Sequence, residues 1–273
     1  MRRMLVGLAV GIVMGALGSR EPSGCTSPLM LRGLAERSPL EDDDTGTLTF
    51  CGYDWSIKSS TRKVGPGPNR FSDSKKNVWV DAMGRLHLRI TKDEEQHWQC
   101  AEVISTRSFG YGTYRFVLDT PAESLDANVV LGLFTWSDDP ESHHREIDVE
   151  LSRWGNEESV ENAQFVIQPY TRRGNRIRFA IPPGQLRTTH SFTWAPGSVS
   201  CDSIGAPKPD EDLRRIKQWS FTRGIPEPGD ENARINLWLL GGRAPKDGKE
   251  CEVIVAAFEH TPLDTPKQSS PPP

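Results

Sequence analysis

Three carboxyls stand at alternate positions in Glu146-Ile147-Asp148-Val149-Glu150. Alternate side chains of an extended strand share a face, so Glu146, Asp148 and Glu150 point one way while Ile147, Val149 and Leu151 point the other. Like charges in a row repel, and a strand chosen for stability alone would intersperse Thr or Lys among them. Hydrolysis of a glycosidic bond gives the arrangement a use, because it needs one ionised carboxylate and one protonated carboxylic acid flanking the same bond. Crowding supplies the difference in proton affinity, and a middle Asp can hold a proton between its neighbours. The same pattern also fits a solvated acidic edge or a calcium site built from carboxylates. Geometry adds a condition. Cα atoms four apart on a strand are roughly 13 Å apart, whereas a retaining double displacement uses carboxyls about 5–5.5 Å apart. The strand must therefore lie on a concave, twisted sheet whose outer side chains lean together over a cleft.

The elements that would build such a sheet read clearly in the surrounding chain, where the apolar period is two rather than 3.6. Leu86, Leu88 and Ile90 alternate with polar residues; Tyr114, Phe116 and Leu118 follow a Gly110-Tyr111-Gly112 turn; Ile235, Leu237 and Leu239 alternate with Arg234, Asn236 and Trp238. Val129 to Phe134 is continuously apolar, as in a strand buried on both faces. Gly65-Pro66-Gly67-Pro68-Asn69 and Pro182-Pro183-Gly184 punctuate the segments. Only Asp210 to Gln218 reads as helical. The expected fold class is all-β: a two-sheet antiparallel sandwich or jelly roll with at most one short helix.

Composition narrows the function. Lys and Arg total 33 against 37 Asp and Glu, a net charge of −4, so there is no basic field to hold a nucleic acid. With 36% hydrophobic and 26% charged residues the chain can bury a core and is not disordered as a whole. Arg2 and Arg3 followed by an apolar run from Leu5 to Leu17 predict an export signal over residues 1–18 and a secreted, periplasmic or envelope location. Ser23-Gly24-Cys25 weakly resembles a lipid-attachment site, the one route to a membrane. A polar linker over 19–45, a folded domain over 46–262 and a Pro-rich tail over 263–273 complete the layout. Cys51, Cys100, Cys201 and Cys251 form an even set that export would permit to pair, and their spacing matches no zinc pattern. His143 and His144 beside Glu141 point to opposite sides of any strand, so no metal site is expected there and a loop suits them better. No G-x-S-x-G elbow, phosphate-binding glycine loop or EF-hand pattern occurs.

The acidic strand resembles the catalytic signature of glycoside hydrolase family 16, the concanavalin A-like jelly rolls that include lichenases, laminarinases and xyloglucan endotransglycosylases. Cys100-Ala101-Glu102-Val103 followed by Phe109-Gly110-Tyr111-Gly112-Thr113-Tyr114, then Phe134-Thr135-Trp136, Phe192-Thr193-Trp194-Ala195-Pro196-Gly197 and Asn236-Leu237-Trp238 are similar to further landmarks of that family, in order, over roughly residues 50–260. The resemblance implies that Glu146 is the nucleophile, Glu150 the general acid/base and Asp148 the residue that orients Glu146 and tunes its charge. It implies that Glu102, Gln164 and Asn236 hydrogen-bond sugar hydroxyls. The unbroken strand is nearer the lichenase and xyloglucan branch. Two departures touch the cleft: His144-Arg145 stands where lichenases carry Trp-Asp, and Val166 where they carry Asn.

Trp136 and Trp238 lie on the non-core parity of their strands, which suits stacking under a sugar ring; Trp154, Trp194 and Trp219 read as core or rim. In this architecture the terminal strands run side by side and Cys100 lacks its family partner, so Cys51 is expected to pair with Cys251. The expected protein is a monomeric, endo-acting β-glucan hydrolase that needs no cofactor, the alternatives being a transglycosylase and a non-catalytic carbohydrate-binding sandwich.

Overall fold

The structure, a computed structural model, describes residues 46–206 and 212–263. The expected export signal, the linker, Cys25 and the tail beyond residue 263 lie outside the described residues.

One sheet carries eight antiparallel strands in the order β1 (Thr47–Phe50), β2 (Tyr53–Ile57), β7 (Trp98–Ser105), β16 (Asn232–Leu239), β9 (Val129–Trp136), β10 (Ile147–Leu151), β11 (Ala163–Ile167) and β12 (Arg176–Phe179). The other runs β5 (Val78–Val80), β6 (Leu86–Lys92), β17 (Cys251–Pro262), β8 (Gly112–Leu118), β13 (Arg187–Ala195), β14 (Ser198–Ala206) and β15 (Arg214–Phe221). Pairing of β6 with β7, and of β3 (Ser60–Val64) with β4 (Asn69–Phe71) beside β7, ties the two sheets along one edge.

A single buried cluster lies between the sheets, with Leu131, Leu133, Val149, Phe165 and Ile235 from the first meeting Leu88, Phe116, Phe192 and Val253 from the second. Each such side chain contributes about 1.5–3 kcal/mol by leaving water. Because Ala233, Ile235, Leu237 and Leu239 are drawn into this core, the intervening Arg234, Asn236 and Trp238 must face outward, away from the second sheet. The alternation that makes the core therefore also makes the cleft floor.

Two expectations are corrected. The described part of the segment expected to be helical, residues 212–218, is not a helix: residues 214–221 form the edge strand β15, paired antiparallel with β14 from Val199↔Phe221 to Gly205↔Arg214 across one bulge at Ser203/Ile204. Pairing against a neighbouring strand overrides the weak helical period of a charged segment. Among the described residues there is no α-helix, only three-residue 3₁₀ turns at Ala122–Ser124, His143–Arg145 and Leu240–Gly242. Cys51 is disulfide-bonded but not to Cys251, which is free, as are Cys100 and Cys201. The terminal strands do approach, but Cys51 lies where the Phe258 amide donates to its Sγ, at 3.3 Å. That is seven residues, roughly 23 Å, along β17 from Cys251. Opposite Cys100, β4 offers Phe71 rather than a thiol.

Candidate active site

Strand register assembles the site. Directly opposed residues on adjacent strands share a face, and the pairings Glu102↔Asn236, Asn236↔Gly132, Gly132↔Glu150, Glu150↔Gln164 and Gln164↔Arg178 make one row across six strands. One step along, Arg234↔Phe134, Phe134↔Asp148, Asp148↔Val166 and Val166↔Arg176 make a second row. A cavity of about 350 Å³ opens over both rows, lined by Lys58, Glu102, Gly132, Phe134, Trp136, Asp138, Glu146, Asp148, Glu150, Arg234, Asn236 and Trp238. Seven of the eight residues singled out from sequence thus meet in one cavity. The eighth, Gln164, is buried behind Glu150.

Glu146 enters β10 through an unusual turn. His143, His144 and Arg145 have φ of 50°, 60° and 48°, left-handed values that cost side-chain-bearing residues roughly 1–2 kcal/mol each. Surrounding contacts hold them there. The Ser137 amide donates to His144 O at 2.7 Å and the Thr135 hydroxyl to Arg145 O at 2.8 Å. The Arg145 guanidinium reaches Ser137 Oγ at 3.0 Å and the Asp139 carboxylate at 3.0 Å. Strain so over-determined is typical of functional sites, and here it delivers Glu146 to the cleft.

The three carboxyls differ in surroundings. Burial pushes Glu146 up to about 7; contact with Asp148 opposes this, and repulsion from Glu150 adds to it. Asp148 lies between Phe134 and Val166 on the neighbouring strands. Burial, then repulsion from Glu146 and Glu150, drives it well above the usual carboxylate range. Contact between two acceptors needs one proton, and Asp148 holds it toward Glu146. Glu150 is also raised by burial, but Gln164 Nε2 donates to Glu150 Oε2, and Arg178 and Arg176 pull the other way. Arg178 Nε donates to Gln164 Oε1 at 3.2 Å while its guanidinium stacks 4.0 Å from the Trp154 ring centroid. Gln164 is thereby engaged at both ends, as a link between Arg178 and Glu150.

Glu102 is likewise engaged. Only 1% exposed, it takes Lys58 at 2.9 Å and Arg234 at 3.3 Å, and Asn236 Nδ2 donates to it at 3.5 Å. It orients Asn236, whose Oδ1 is buried without a partner and faces Gly132 across the floor. Trp136 lies flat against His144, ring centroids 4.0 Å apart and planes 8° from parallel, so one of its faces is covered; Trp238 is half-buried in the cavity wall. Trp194 is core and Trp219 is exposed on edge strand β15.

Sequence reasoning placed His144 at the cleft and missed Lys58, Arg234, Arg176 and Arg178. Arg234 shares the parity of Asn236 and Trp238 and was legible on that ground. The others depend on turns and cross-strand register, which a single strand does not reveal.

This fold is that of the β-glucanases. The described chain is similar to a Bacillus licheniformis β-glucanase at TM-score 0.57 and 18% identity, over 80% of this chain and 92% of that one. It is similar to a prokaryotic β-1,3-1,4-glucanase, a lichenase from a mouse hindgut metagenome, at TM-score 0.55 and 18% identity, over 77% and 93%. A Mycobacterium tuberculosis immunostimulatory antigen described as a pseudo β-1,3-glucanase matches at TM-score 0.51 and 20% identity, over 74% and 88%. No protein-family model matches the chain, and no curated protein matches it in sequence. Identities this low establish a shared glycoside hydrolase fold and leave the activity to the site.

Proposed function

We propose that the protein is a retaining, endo-acting glycoside hydrolase acting on a β-glucan-type polysaccharide. The observation that carries this reading is the meeting of buried Asp148 with half-buried Glu146 and Glu150 in one open cleft of a β-glucanase fold, with unequal surroundings and all three raised. The glucan lies across the strands against Trp238 and Asn236. Glu146, hydrogen-bonded by the proton Asp148 holds, attacks the anomeric carbon. Glu150 donates its proton to the departing glycosidic oxygen, and a glycosyl–Glu146 ester forms as the glycosidic bond breaks. Glu150, now ionised, takes a proton from water as that water attacks the same carbon, releasing Glu146 with retained configuration.

Reducing-end release from a panel of purified polysaccharides tests the activity. Glu146→Gln should abolish turnover while binding survives. Glu150→Gln should still cleave an activated aryl glycoside, with azide capturing the intermediate in retained configuration. If azide rescue instead followed Glu146→Gln with inversion, the two roles would be wrongly assigned. A second reading, a carbohydrate-binding sandwich that does not cleave, is favoured by one observation: Gln164, Arg178 and Arg176 all draw Glu150 toward its ionised form. Tight glucan binding with every polymer left intact would establish it.

A further inference from the structure

The sheet that carries the acidic strand continues past it through β11 to β12. Arg178 lies in the row of Glu150 and Arg176 in the row of Asp148, each two strands away on β12, a distance of about 9–10 Å. The hairpin joining β11 to β12 adds the exposed Arg172 and Arg173, so Thr171 to Arg178 holds four arginines in a chain of net charge −4. Arg172 lines a second cavity, of about 300 Å³, which meets the first at Glu146 and also contains His143 and Glu227.

Arginines at a surface ordinarily find carboxylates. Among the described residues none of these four is within ion-pair distance of one: Arg176 lies 5.5 Å from the Tyr170 ring centroid, Arg178 is held by Trp154 and Gln164, and Arg172 packs against Gly224. Glu150 and Glu161 act on Arg178 only through space. The guanidiniums are planar forks suited to carboxylate or sulfate, and Arg176 and Arg178 lie in the cross-strand rows of Asp148 and Glu150, the direction that a polysaccharide crossing the strands would follow.

We infer that Arg172, Arg173 and Arg176, with Arg178 behind them, form a subsite for an anionic substituent, carboxylate or sulfate, on a sugar adjoining the bond at Glu146 and Glu150. The substrate class is then an acidic glucan. The assignment of the bond rests on the hydrolase reading; the anion subsite itself does not.

The test uses Glu146→Gln protein, in which the proposed chemistry is blocked, and measures its affinity for a neutral β-glucan, the same glucan carboxylated at its primary hydroxyls, and the same glucan sulfated. Both anionic polymers, or one of them, should bind about tenfold more tightly than the neutral glucan at low salt, the sum of a few surface ion pairs. The advantage should vanish at high salt and be lost in the triple variant Arg172→Gln/Arg173→Gln/Arg176→Gln. A preference for one anion alone supports the subsite and names its group. Equal affinity for neutral and anionic polymers, or an advantage that persists in the triple variant, overturns it. Cleavage by the unaltered protein is scored separately. Anionic preference with no polymer cut leaves the subsite standing and refutes the hydrolase, and cleavage of neutral glucan without anionic preference does the reverse.

Discussion

Replacing Glu146 with Gln should make the protein more stable, and only above acidic pH. Glu146 ionises at 4.5 in an ordinary setting and at about 7 in the cleft, chiefly because burial disfavours its charge. Below 4.5 the group is protonated in both the folded and unfolded chain, so it contributes nothing. Between 4.5 and about 7 the unfolded chain has released the proton and the folded chain still holds it, so the folded state binds more protons and stability falls as pH rises. Above about 7 the cost is complete, about 1.4 kcal/mol for each factor of ten, or roughly 3 kcal/mol. Gln keeps the shape and the oxygen that accepts from Asp148 but cannot ionise, so Glu146→Gln should match the parent at pH 4 and exceed it by up to roughly 3 kcal/mol at pH 8. For a domain of this size that is a rise in Tm of about 6–12 °C. Thermal unfolding of both proteins from pH 4 to 9 measures it. A gain of equal size at pH 4 and pH 8, or a variant less stable than the parent at pH 8, would refute the claim that the cleft holds Glu146 against its preference for water.

Three further outcomes follow. Arg178→Met removes a cation that draws Glu150 toward ionisation, so the alkaline limb of kcat/KM, which reports loss of the general acid, should move to higher pH; an unmoved limb would count against the Arg178–Gln164–Glu150 link. Gly132→Ala puts a Cβ against Asn236 Oδ1 and 3.4 Å from Phe134 Cδ1, displacing Asn236 from the floor, so glucan affinity should fall about tenfold at a stability cost of about 1–3 kcal/mol, checked by calorimetric titration and urea unfolding. His190 is buried between Ser203 Oγ at 2.8 Å and Thr188 Oγ1 at 2.9 Å, and burial pushes it down to about 3. Between 6.5 and 3 the unfolded chain binds the extra proton, so stability should fall with falling pH in that window, and His190→Gln should flatten the acid side of the curve.

What could be read from the chain was whatever a single strand encodes. Parity alone separates Glu146, Asp148 and Glu150 from Ile147 and Val149, and Asn236 and Trp238 from Leu237 and Leu239, because core burial draws in every second residue. The cleft followed from that, since outward parity on several strands of one sheet converges. Register was not legible. Nothing within Arg176-Ile177-Arg178 says that it lies two strands from the carboxyls, and nothing near Lys58 says that Glu102 neutralises it. The left-handed turn at His143–Arg145 has no glycine to announce it and exists because Ser137, Thr135 and Asp139 hold it. The Cys51 and Cys251 misassignment has the same root, because β1 and β17 were expected side by side and instead lie in different sheets, meeting near Phe258.

The cation-bearing strand also bears on how the acid step is driven. A general acid must hold its proton near neutral pH, and in this cleft the apolar neighbours Phe134 and Val166 favour that state for Asp148, while Gln164 and two arginines oppose it for Glu150. Burial alone keeps Glu150 raised. An anion seated on Arg176 and Arg178 would cancel part of their pull and exclude water from the cleft, and both changes raise the affinity of Glu150 for its proton. An acidic substrate would thus help Glu150 to keep its proton, where a neutral one would not. Charge on the substrate would then appear in kcat as well as in binding, which couples the arginines of β12 to the chemistry of the two glutamates rather than to recognition alone.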